Sequence, residues 1–131
     1  MTPSFLERLA FCAPPAQPVA RASVFRYRTY IAGPMTGLPD MNFPAFDAAA
    51  HRLRDLGHLV ISPAEITKDP AADWAACMRA DIAELVRCDA VALLPGWEHS
   101  RGATLEHHIA TQVGLDVRPL EAWLSDGGAR C

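Results

Sequence analysis

From Val24 onward, short apolar runs alternate with longer stretches in which apolar residues recur every three or four positions. Residues 24–32 read as a strand, broken by the turn-rich Gly33-Pro34-Met35-Thr36-Gly37. Asn42 suits a helix N-cap and Pro44 a first helical turn. Residues 45–56 are therefore predicted helical, with Phe46, Ala49, Ala50 and Leu53 on one face and Gly57 as the stop. Residues 58–62 form a short buried strand, ended by Pro63. Asp73 can cap a second long helix over 74–87. Residues 90–94 are uninterruptedly apolar, as in a parallel strand covered on both faces. A loop over 95–101 precedes a third helix at 102–113, which Gly114 ends. Residues 116–119 make a last short strand and 120–124 a final helical turn.

This β-α-β-α-β-α-β order predicts an α/β fold: one doubly wound, flavodoxin- or Rossmann-like domain with a four- or five-stranded parallel sheet and right-handed crossovers. Ligands of such folds bind beyond the carboxyl ends of the strands, where strand order reverses. That rule selects the loop 33–42, the turn 62–67 and the loop 95–102. The predicted domain spans residues 23–125. Residues 1–22 read as an N-terminal extension, with one or two helical turns before a Pro/Ala linker, and 126–131 as a C-terminal tail.

Bulk properties narrow the function classes. A chain of 131 residues fits one domain with a real core. The net charge of −3 argues against a nucleic-acid polymer as partner, but leaves room for a small phosphorylated ligand in a local cationic pocket. No apolar run is long enough to span a membrane. Glu7 and Arg8 interrupt the N-terminal apolar stretch, which argues against a signal peptide. Cys12, Cys77, Cys88 and Cys131 form no CxxC pair and are expected as thiols in a reducing cytoplasm.

Three constellations could carry chemistry. The loop 33–37 follows a strand and precedes a helix; its two glycines allow either close backbone approach to a ligand or an ordinary tight connection. It has neither the P-loop nor the dinucleotide spacing. In the segment from Trp97 to Glu106, Ser100 can cap the third helix and leave free N–H groups at its positive end, a natural anion site to which Arg101 adds charge. Glu106 lies farther along this helix, where a solvated carboxylate is the ordinary alternative. Asp81 falls on the apolar stripe of Cys77, Leu85 and Cys88, as a functional acid or as a buried cap or ion pair. Trp74 and Trp97 could stack on a base or pack at the core or rim. His107 and His108 point about 100° apart, so no metal site is expected.

The ordered set Tyr30-Ile-Ala-Gly-Pro-Met-Thr-Gly, Asn42-Phe-Pro-Ala-Phe, Ser62-Pro-Ala-Glu65, Met78-Arg-Ala-Asp81, Asp89-Ala-Val-Ala-Leu-Leu-Pro-Gly-Trp97 and Ser100-Arg-Gly-Ala-Thr-Leu-Glu106 closely resembles the DUF4406 family. That family looks like a compact branch of the nucleoside 2-deoxyribosyltransferase superfamily. The resemblance implies Glu106 as the nucleophilic carboxylate, Asp81 as the acid contacting the base and Tyr30 as the residue orienting the glutamate. At the position of Ser100 the deoxyribosyltransferases tend to carry an aspartate for the sugar 5′-hydroxyl, whereas 2′-deoxynucleoside 5′-phosphate N-hydrolases carry a phosphate-binding serine. This chain agrees with the hydrolases there and departs from both groups in its Gly-Pro-Met-Thr-Gly loop.

The expected activity is therefore hydrolysis of the N-glycosidic bond of a nucleoside 5′-monophosphate. Base exchange between deoxynucleosides is the nearest alternative, and a non-catalytic nucleotide-binding regulatory module the rival from another class. Gly33, Pro34, Met35, Thr36, Gly37, Asn42, Glu65, Trp97, Ser100, Arg101 and Gly102 are expected around the substrate, with Tyr30, Asp81, Ser100 and Glu106 in one cleft. No cofactor is expected. The resemblance also implies a homodimer or higher homo-oligomer, with a neighbour closing the pocket; the apolar Trp74, Met78, Leu85 and Val86 of one helix point the same way.

Overall fold

A computed structural model describes residues 27–66 and 71–125. The expected extension at 1–22, the tail at 126–131, Cys12 and Cys131 lie outside the described residues.

Four strands make one fully parallel sheet: β1 (Arg28–Ala32), β2 (Leu59–Ile61), β3 (Ala90–Leu93) and β4 (Asp116–Pro119), in spatial order β2-β1-β3-β4. Tyr30 lies opposite Ile61 on one side and Val91 on the other; Val91 in turn pairs with Val117. The helices are α1 (Phe43–Asp55), a single turn α2 (Pro63–Ile66), α3 (Trp74–Leu85), α4 (Arg101–Gln112) and α5 (Leu120–Ser125). The order places the reversal between β1 and β3, so their carboxyl ends open onto the same crevice.

Period-two alternation divides the core into two layers. Ile31, Ala90 and Ala92 face α1 and α5, where they meet Phe46, Ala49, Leu53 and Trp123. Tyr30, Ala32, Val91 and Leu93 face the other way, toward Leu85 of α3 and Ala103 and Ala110 of α4. Complete burial of Phe46 and Trp123 is worth roughly 2 to 3 kcal/mol each. The Trp123 indole also donates to the Val91 carbonyl at 2.9 Å, so its one polar atom is satisfied. This alternation sends Tyr30 to the side of the sheet on which α3 and α4 lie.

The predicted elements are all present, with ends shifted by a residue or two; the part of the first strand before residue 27 lies outside the described residues. The structure adds α2, a four-residue turn too short to show periodicity, and 3-10 turns at Pro39–Asn42 and Trp97–His99. Asn42 holds the predicted N-cap position of α1, but its side chain does not cap. It stands in left-handed backbone with no side-chain cap bond, and its amide donates to the Pro34 carbonyl at 2.9 Å. Asp40 and Met41 share that conformation, with φ of 53° and 55°. Three successive non-glycine residues there store strain at the entrance to α1.

Candidate active site

The predicted caps hold at both helices that build the site. Asp73 accepts from the Ala76 amide at 2.7 Å at the start of α3, and Ser100 accepts from the Ala103 amide at 3.1 Å at the start of α4. The Arg101 and Gly102 amides have no intrahelical acceptor, which leaves a positive helix end at the cleft. Gly102 lets the two helices approach: a Cβ there would stand 3.1 Å from Met78 Sδ and 3.9 Å from Trp74 Nε1.

Glu106 is not the solvated carboxylate that its place near a helix start could suggest. It lies on the buried stripe Ala103–Glu106–Ala110 and is 4% exposed. The Tyr30 hydroxyl, itself buried, donates to Glu106 Oε2 at 2.7 Å. Asp81 is 7% exposed on the stripe that also carries Met78 and Leu85. It is neither a cap nor an ion pair: its Oδ1 is buried without a hydrogen-bond partner among the described residues. Such an orphaned acceptor is costly and calls for a functional explanation.

Burial controls the acidity of both groups. It pushes the Glu106 carboxyl up to about 8, with the Tyr30 hydrogen bond pulling down and the Asp81 charge pushing up. Burial alone raises Asp81 to about 6. Burial and then the Glu106 charge raise the Tyr30 phenol well above its ordinary value, so it remains a donor. The carboxyl with the higher pKa is therefore the one that the family resemblance casts as nucleophile.

A cleft of about 790 Å³ opens over these carboxylates at the carboxyl ends of β1 and β3. Of the expected residues, Gly33, Pro34, Met35, Thr36, Asp81, Ser100, Arg101, Gly102 and Glu106 line it. Tyr30 lies beneath, reaching the cleft through Glu106.

Four expected contacts have other tasks in the structure. Glu65 turns away to a bidentate pair with Arg54 at 2.8 and 3.0 Å. Trp97 stacks on His107, with centroids 4.3 Å apart, and packs on the core. Asn42 braces the loop through Pro34, and Gly37 serves its turn with a φ of 86°. Gly33 lines the cleft, but its lack of a side chain answers to packing: a Cβ would lie 2.7 Å from Leu94 Cβ.

Met41, Phe43, Cys77, Met78 and His99 also line the cleft and were absent from the expected set. The helical spacing of Cys77 and Met78 with Asp81 was available as a signal, and His99 lies in a loop that the strand-end rule selects. Met41 likewise lies in the selected loop 33–42, and Phe43 follows it in the Asn42-Phe-Pro-Ala-Phe motif. Among the described residues, no three His, Cys, Asp or Glu side chains gather as metal ligands, and no helix is long and apolar enough to cross a membrane.

A parallel α/β domain with two buried carboxylates under a strand-end cleft is thus the class that fold and site define. The DUF4406 profile, described as a domain of unknown function, matches residues 27–118, and the chain belongs to that family. No curated protein matches it.

Proposed function

We infer that the protein cleaves the N-glycosidic bond of a nucleoside 5′-monophosphate. The observation carrying this reading is the buried Tyr30–Glu106 pair beside the unpartnered Asp81 at the floor of the cleft. Departure of a nucleobase builds positive charge at the sugar C1′, and a desolvated carboxylate stabilises that charge or bonds to the carbon. Glu106 takes this part, with the Tyr30 hydroxyl fixing one of its oxygens. Asp81 receives or protonates the departing base. At the rim, Ser100, Arg101 and the start of α4 suit a 5′-phosphate, where an aspartate in place of Ser100 would repel it. The reading places the protein in a reducing cytoplasm, with Cys77 and Cys88 as free thiols.

The test is a panel of nucleoside 5′-monophosphates and their nucleosides, read by chromatography for free base. The wild-type chain should release base from the phosphorylated members, and Glu106→Gln should lower the rate at least ~100-fold, about 3 kcal/mol of barrier, while ligand binding persists. Adding a second base separates hydrolysis from base exchange. Binding of nucleotides with no base released from any member would make the protein a binding module and sink the reading.

A further inference from the structure

Two helix starts meet at the mouth of the cleft. Trp74 is the first residue of α3 and Arg101 the first of α4. The guanidinium carbon of Arg101 stands 3.6 Å from the centroid of the Trp74 ring. Gly102, next to Arg101, sits against the same helix: a Cβ there would lie 3.1 Å from Met78 Sδ, and 3.9 Å, an ordinary contact, from Trp74 Nε1. A guanidinium lying on an aromatic face keeps the N–H donors of its edge available, and stacking limits the rotamers of an otherwise flexible chain. Among the described residues no carboxylate forms an ion pair with Arg101. Trp74, His99, Ser100 and Arg101 all line the cleft. The arginine covers the tryptophan face on which a base could have stacked.

A separate observation points to a ligand in the same space. Asp81, a residue more than nine-tenths buried, lines the cleft, and its Oδ1 has no hydrogen-bond partner among the described residues. A ligand that satisfies both ends has an anionic group at the α3–α4 corner and a hydrogen-bond donor at the floor. We propose that Trp74 is a positioning residue: it holds the Arg101 guanidinium so that its edge addresses the 5′-phosphate, and thereby sets the preference for phosphorylated over unphosphorylated nucleosides. This rests on the functional reading above for the identity of the ligand.

Calorimetric titration of the full chain in a Glu106→Gln background, with the deoxynucleoside 5′-monophosphates and the matching nucleosides, tests the assignment. Trp74→Leu should weaken monophosphates about tenfold and nucleosides less than about twofold, whereas Trp74→Phe, which keeps an aromatic face, should stay within about threefold of the parent. Arg101→Gln should remove most of the preference for the phosphorylated member and make Trp74→Leu silent when the two are combined, since the tryptophan acts through the arginine. Equal weakening of nucleotide and nucleoside by Trp74→Leu, or an undiminished effect in the Arg101→Gln background, overturns the proposal. Monophosphate binding with this pattern, but without base release by the wild-type chain, would overturn the proposed reaction and leave the Trp74 assignment standing. Base release from nucleosides with no advantage for monophosphates would overturn the Trp74 assignment together with the 5′-phosphate site, and leave N-glycosidic cleavage standing.

Discussion

Two carboxyl groups buried at the floor of one cleft cannot both carry charge cheaply, and the proposed chemistry needs one of them charged and the other protonated. Asp81 at about 6 and Glu106 at about 8 bracket a window in which the pair holds one proton. Below the window both are neutral and no charge faces C1′; above it both are ionised and no acid serves the base. The kcat/KM profile should therefore be bell-shaped, rising near pH 6 and falling near pH 8. Within the window, the reacting species has its proton on Asp81, although Glu106 holds it more tightly in the free protein. Positive charge growing on the sugar favours the required arrangement. Tyr30 assists in the same direction, because its hydroxyl donates to the ionised Glu106 and lowers its pKa. Tyr30→Phe should move the alkaline limb up by about one unit and lower the maximum roughly tenfold, as the proton settles more firmly on Glu106. An unchanged limb in a pH–rate series would remove Tyr30 from this role.

At the scale of elements, the loop after β1 separates two uses of glycine. The chain turns left-handed at Gly37, where a φ of 86° suits glycine and no atom would crowd a Cβ. Gly33 is constrained by space, since a Cβ would meet the Cβ, Cγ and Cδ1 of Leu94 at 2.7 to 3.1 Å. Gly33→Ala should therefore cost about 1 to 3 kcal/mol in denaturant unfolding, because the ends of β1 and β3 must part. A loss within experimental error would show that Leu94 can yield. The sequence announced a Gly-rich strand-end loop, but not the reason for each glycine, because the neighbour that crowds Gly33 is 61 positions away. The same distinction runs through the site. Helix stripes, caps and the strand-end rule were readable in Asp73, Asp81 and Ser100, whose signals are local. Burial of Glu106 and the outward turn of Glu65 depend on packing between elements, on Tyr30 beneath one and Arg54 beside the other. Asn42 stands at the cap position its residue type suggests, while its left-handed backbone goes with a side chain bonded to Pro34 in place of a helix amide.

For the whole molecule, the proposed homodimer turns on which apolar surface is left over after the chain has packed on itself. The apolar residues of α3 do not supply it: Met78 and Leu85 are buried, and Trp74 lies half-buried under Arg101. Val86, just past the end of α3, is 47% exposed. A surplus lies on α4 and its end, where Leu105 and Val113 are 37% and 57% exposed on either side of Ile109, which packs partly on the core. A two-fold contact places the same patch of each protomer against its counterpart, so one helix face with modest apolar area is enough to start an isologous interface. Leu105 precedes Glu106 on α4 and points away from it, so this contact would back the helix that carries Glu106 without entering the cleft, unlike the neighbour-closed pocket that the family resemblance implies. Light scattering on the full chain should give the mass of a dimer. The double variant Leu105→Glu, Val113→Glu should give a monomer with an unchanged unfolding midpoint once protein concentration is low, because both side chains face outward and contribute little to the protomer's own core. A wild-type monomer at high micromolar concentration would remove the dimer, and a dimer that survives the double variant would move the interface off α4.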